Sequence, residues 1–335
     1  MSSLGYGDLA RTVPLTRHGV QARADLSRLS QELTTGRHAD VAAANRGDLR
    51  ALSGIERNLA ILGRMEATAT AVQGRMGAMQ AALEAVQTAS RDAASAFLTI
   101  AGPTSATGMG QIQATAEAAL GSALSALSAR IGGIHLFSGE AADAPPLPGM
   151  TDLLDRLRAD VPATGDAAAL RAQVHAWFAP GGGLDALTPP GAGEPAEVPV
   201  APDETLSVAA TAADPEVRAL LAELALGVLA GENRGGALPD AGRRQILERA
   251  GTAILTDEAG VTSLRGRLGV AEGQSERALA RIRAETGALQ IARGEALEVD
   301  RYATATKLQA AEAAVETLYL VTARLSGLSL ANYLR

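Results

Sequence analysis

The stretch Lys307–Arg335, KLQAAEAAVETLYLVTARLSGLSLANYLR, decides the reading of the fold. Its apolar residues Leu308, Ala311, Val315, Leu318 and Leu325 recur at gaps of three and four, with Thr322 in the one polar slot. That spacing lays one continuous seam along a helix. An amphipathic helix with nothing to cover its seam frays, so a partner is expected. Leu15, Ala22, Leu26, Leu29 and Leu33 keep the same rhythm near the other end of the sequence. The two ends are therefore predicted to pair, antiparallel or parallel; the alternative is two unrelated core helices.

Composition sets the bounds. At 335 residues the chain is long enough for two or three compact units. Only 2% of residues are aromatic, so the apolar content is mostly Ala, Leu and Val, which suits closely packed helices better than an aromatic-lined pocket. The net charge of −7, with Lys and Arg scattered, leaves no electrostatic footprint for nucleic acid. With no cysteine, disulfides, thiolate catalysis and Cys-based metal sites are excluded. No apolar run approaches the ~18–20 residues of a membrane span, and MSSLGYGDLARTVPL shows no cleaved signal peptide.

Along the chain, a polar lead to Pro14 is expected, then a helix from Leu15 to about Thr34, capped near Gly36. After a break at 37–48, a long helix is predicted from near Leu52. Val72, Met76, Met79, Leu83, Val86, Ala93, Phe97 and Ile100 hold its seam, and Gly102-Pro103 ends it. A return helix carries Ile112, Leu120, Leu124, Leu127, Ile131 and Ile134. Prolines then concentrate in residues 144–213, read as a small inserted domain with helices at Thr151–Ala159 and Asp166–Phe178 and a hairpin around Val198-Pro199-Val200 and Thr205–Val208. Asp214-Pro215-Glu216 restarts helix, and Pro239 opens a last long segment on the seam Val261, Leu264, Leu268, Ala271, Ala278, Ile282 and Leu289. Gly294 is expected to separate it from the terminal helix.

The fold class expected is mainly α: a long-helix coiled coil or bundle formed by both chain ends, with a small α+β inserted domain. The divisions are 1–36 and 298–335 for a terminal assembly domain, 37–143 and 214–297 for the bundle, and 144–213 for the insertion.

Catalytic constellations are sparse. His18, His38, His135 and His175 sit in separate segments with no second ligand at metal spacing. Gly108-Met109-Gly110 and Gly181–Gly183 lack the lysine and hydroxyl of a phosphate loop and read as turns. Trp177 beside Phe178 is read as an anchor for the insertion's own core. No enzyme activity, cofactor or metal is expected.

Leu29-Ser30-Gln31-Glu32-Leu33-Thr34-Thr35-Gly36-Arg37 resembles the N-terminal signature of the flagellin superfamily, and Leu325-Ser326-Gly327-Leu328-Ser329-Leu330-Ala331-Asn332-Tyr333-Leu334 is similar to its C-terminal one. Leu136-Phe137-Ser138-Gly139, with Asp143 and Pro145-Pro146-Leu147 after it, resembles the corresponding stretch of the hook-filament junction proteins, the third hook-associated proteins. The serine-proline and paired-acid element common after the N-terminal glycine is replaced here by Ala39-Asp40-Val41.

The resemblance implies a structural flagellar subunit, exported without a cleaved signal peptide and placed outside the cell between hook and filament. It further implies self-association in a ring or helical lattice, with other hook-associated proteins, flagellin, the flagellar export apparatus and a secretion chaperone as partners, and no nucleic acid or membrane. Leu26, Leu29, Leu33, Val315, Leu318, Leu325, Leu328 and Leu330 are the expected assembly interface. Two alternatives are a filament flagellin subunit, separable by copy number, and a cytoplasmic signalling coiled-coil protein.

Overall fold

The structure is a computed structural model. It describes residues 6–99, 106–201, 204–208 and 210–333, and for 6–15, 106, 235 and 325–333 the backbone alone. The main elements are helices α1 (Tyr6–Thr35), α2 (Val41–Ala44), α3 (Arg50–Leu98) and α4 (Ala106–Leu127), a hairpin β1 (Arg130–Ile131) and β2 (Ile134–His135), then α5 (Met150–Asp160) and α6 (Ala167–Phe178). A second hairpin, β3 (Ala196–Ala201) and β4 (Glu204–Val208), leads to α7 (Pro215–Glu232), α8 (Asp240–Leu297) and α9 (Arg301–Tyr333). The described residues are mainly α-helical, with two small antiparallel sheets among them. It divides into a unit of Met1–Leu62 with Ala284–Arg335, and a unit of Gly63–Arg283.

Within the larger unit, α3 and α8 run antiparallel. The polar contacts Glu66 with Arg283, Gln73 with Glu276, Gln87 with Thr262 and Glu258 with Arg91 step steadily in opposite directions along the two helices. The α3 seam Ala69, Val72, Met76, Met79, Leu83, Val86, Ala93 and Phe97 is buried, as are Val261, Leu264, Leu268, Ala271, Ala278 and Ile282 of α8. Gaps of three and four, kept this long, bury one face and leave the other to charge. At the centre lies α7, apolar almost all round and buried over nearly its whole length, the pattern of a helix enclosed on every side. It packs on α4 and α6. The apolar side chains of 144–213, among them Leu153, Leu157, Val174, Trp177 and Phe178, belong to the same buried cluster as α3, α4, α7 and α8. Trp177 stacks edge-on against Phe178 with ring centroids 4.9 Å apart, and its indole N–H donates to Asp160 at 3.0 Å.

Two charged side chains of α7, Glu223 and Arg218, are carried into this core. Glu223 of α7 is fully buried and accepts from both guanidinium nitrogens of Arg171, one at 2.8 Å, while His175 Nε2 lies 3.0 Å from its carboxylate. A buried carboxylate survives only when paired and hydrogen-bonded in this way. Asp257 of α8, half-buried, has its carboxyl pushed above the usual range, first by desolvation and then by the charge of Glu223, with His175 and Arg171 opposing. Because the folded-state value is raised, the ionised form costs stability above it, and that cost vanishes as pH falls below the unfolded value of 3.8. Asp257→Asn is expected to raise the unfolding temperature at about pH 7 and to leave it unchanged at about pH 3. Thermal melts at the two pH values check this; an equal shift at both contradicts it.

Several sequence expectations are corrected. Helix α1 begins at Tyr6 and passes through Pro14 in place of a polar lead, at the loss of one backbone N–H from the ladder. Ile131 and Ile134 are not on the α4 seam. The helix stops at Leu127, Gly132 and Gly133 both take left-handed backbone (φ +60° and +86°), and the two isoleucines face each other across an antiparallel pair, 50% and 41% exposed. Gly294 does not interrupt α8, which continues to Leu297; the break comes at 298–300, where Asp300 Oδ1 accepts from the Tyr302 and Ala303 amides and caps α9. Met150, not Thr151, opens α5, with Gly149 at its cap. Ile100 and Gly102-Pro103 lie outside the described residues.

Candidate assembly surfaces

In the smaller unit α1 and α9 pack against each other. Arg23 donates to the Tyr319 hydroxyl at 2.6 Å and lies 5.1 Å from the ring centroid, whereas the backbones at Arg37 and Glu298 pair in an antiparallel β-bridge, so the pair of helices is antiparallel. Leu29 is buried, and Leu26, Leu33, Val315 and Leu318 are half-buried along this seam. The side chains of Leu15, Leu325, Leu328 and Leu330 lie outside the described residues.

The seam covers one side only. Among the described side chains of α9, Thr304 is the only one buried. Tyr302 is 85% and Leu320 64% exposed. These two stand about five helical turns apart on the face away from Thr304, Val315 and Leu318. On α1, Val20 is 64% exposed and points away from Leu29 in the same sense.

The N-terminal motif builds the end of this pair. Gly36 ends α1 in left-handed backbone, φ +70°, and its carbonyl accepts from Val299; the His38 amide donates to Leu297. Glu32 is buried, with Oε1 accepting from the Ala39 amide at 3.1 Å while Arg28 approaches from one turn back. Asp40 Oδ1 accepts from Ala43 and caps α2. Leu29 and Leu33 thus serve the seam, and Glu32 and Gly36 serve the chain reversal beside it. Glu32 was not singled out in the sequence because its partner, a backbone amide seven residues on, leaves no periodic trace.

The internal motif is likewise built into the core. Leu136 and Phe137 are buried, the Phe137 carbonyl accepts from Ala212, and buried Ser138 donates to the Ala144 carbonyl at 2.6 Å. Arg75 of α3 donates to the Leu136 carbonyl at 3.2 Å. Gly139 takes φ +55°, and a Cβ there would lie 2.0 Å from the Glu194 carbonyl oxygen. Neither backbone can yield without breaking the Glu140 to Glu194 hydrogen bond. Gly139→Ala is therefore expected to destabilise the chain by about 2–4 kcal/mol. Denaturant unfolding checks this; a change below about 0.5 kcal/mol would show that the turn relaxes freely.

His38 lies 3.9 Å from Glu32 and His135 Nδ1 3.0 Å from the Ser128 carbonyl, contacts that spacing alone does not display. Among the described residues no group of three or more His, Asp and Glu could hold a metal ion. No described helix is long and apolar enough to cross a membrane.

No family model matches the chain, and no curated protein matches it. Among solved structures it is similar to one from Vibrio parahaemolyticus assigned as a flagellar hook-associated protein, at 13% identity and a TM-score of 0.41, over 71% of this chain and 95% of that one. A likeness so distant leaves the function to be argued from the residues.

Proposed function

We propose that this chain is a structural subunit of the bacterial flagellum, joining hook to filament and assembling through its first and last helices. The observation that carries the reading is the half-covered α1–α9 pair. The two helices that bear the flagellin-like end motifs meet along one seam and leave Tyr302, Leu320 and Val20 facing outward. Exposed apolar side chains on a helix gain stability once a neighbouring molecule covers them. A heterologous contact of that kind repeats into a helical lattice. Other hook-associated proteins, flagellin, the export apparatus and a chaperone are the partners this role requires.

Electron microscopy of flagella from a strain lacking the chain tests the reading. Hooks without filaments, with monomeric flagellin in the medium, is the expected picture. Normal filaments on intact hooks would overturn the junction role, and presence of the chain along the whole filament would make it a filament subunit.

A further inference from the structure

We propose that an arginine-lined hollow at the start of α3 docks carboxylates of a second copy of this chain. The proposal rests on the self-assembly reading above and adds to it where the neighbouring copy is held by charge. The hollow, open and of about 780 Å³, is lined by Arg46, Asp48, Arg50, Ser53 and Arg57 among others. Arg46 and Gly47 both take left-handed backbone, φ +54° and +82°, in the turn that joins α2 to α3.

Of the charges here, one pair cancels. Asp48 accepts from Arg50 Nε at 3.0 Å and Nη2 at 2.9 Å, and from the Arg50 amide at 3.1 Å. The carboxylate next along the helix, Glu56, is taken by Arg293 at 3.0 Å. Among the described residues Arg46 and Arg57 have no carboxylate within ion-pair distance. Two exposed arginines without an ion pair thus line one open concavity at the positive end of a 49-residue helix. A planar fork that binds carboxylate through two parallel N–H bonds is well suited to an acidic partner.

The chain itself supplies that partner. Residues 63–283 contain 25 Asp and Glu against 17 Lys and Arg, a net charge of −8, and the remaining residues stand at +1, together the −7 of the whole chain. One copy therefore offers the excess acid that the hollow of the next lacks. Because the two surfaces differ, the contact is head-to-tail and can repeat, as a lattice requires. It is also steered by charge and weakened by salt.

Calorimetric titration of the full chain with a hexaglutamate peptide tests the site directly, at about 50 and about 300 mM NaCl. Binding at low salt that falls at least about tenfold in the R46E/R57E variant and weakens with salt is expected. The R46Q/R57Q variant, which removes the charge without reversing it, should fall between the two. No binding by the unaltered chain, unchanged binding by R46E/R57E, or binding of inorganic phosphate with none of the peptide would overturn the proposal. Incorporation into flagella separates it from the reading beneath. If R46E/R57E incorporates as well as the unaltered chain, the docking proposal falls and the assembly reading stands. If the unaltered chain does not incorporate, the assembly reading falls as well.

Discussion

Removing residues 307–335 is expected to leave the main thermal transition within about 2 °C of the full chain while abolishing incorporation into the flagellum. The buried cluster lies on α3 to α8 and the segment between them, and among the described side chains of α9 only Thr304 is buried. Little core is therefore lost with the helix. What is lost is the partner of Leu29 and the exposed Leu320. Fixing a helix of this length costs roughly 1–2 kcal/mol per residue in backbone entropy, against about 1.5–3 kcal/mol for each large apolar side chain fully buried. A pair with half-buried seams recovers too little of that by itself, so its order is expected to grow when neighbours cover the other face. Hydrogen exchange on the soluble chain, with complementation by the truncated one, makes the measurement. Strong protection of both end helices in the monomer, or restored motility with the truncation, would make the pair an ordinary core element.

Leu83→Asp is expected to destabilise the fold by at least about 4 kcal/mol, and to leave much of the chain unfolded at 37 °C. Leu83 is wholly buried midway along the α3 seam. Leu83→Ala would remove the packing alone, at about 2–5 kcal/mol; the aspartate adds a charge to the buried face. Urea unfolding of both variants separates the two costs. Equal midpoints for Leu83→Asp and the unaltered chain would mean that this face is open to water.

The long helices were legible because their seams hold a strict rhythm over many turns, and noise at single positions averages out. Short elements gave way to that same rhythm. Leu127, Ile131 and Ile134 continue the gaps of α4, and the periodicity outweighed Gly132-Gly133, whose left-handed backbone in fact turns the chain. Gly294 misled in the opposite way: a helical glycine costs only about 1 kcal/mol, which the surrounding ladder of α8 absorbs. The capping of α9 by Asp300 sits in sequence without a periodic mark. Contacts such as Arg171 with Glu223, or Arg23 with Tyr319, are invisible for a different reason: they join residues 52 and 296 positions apart, and only the folded path brings them together.

The antiparallel course of α3 and α8 also governs the order in which the chain folds. Gln87 meets Thr262 across 175 residues and Glu66 meets Arg283 across 217, so neither half of the seam has a partner until the other has emerged. Closing such loops is slow compared with the local packing of α6 on α7. A chain that emerges from its first residue would thus complete the α3 seam only when α8 follows, and the contact of Arg23 with Tyr319 could form only after nearly all the rest. Late closure of the end pair keeps its leucines free of premature pairing for most of the chain's emergence.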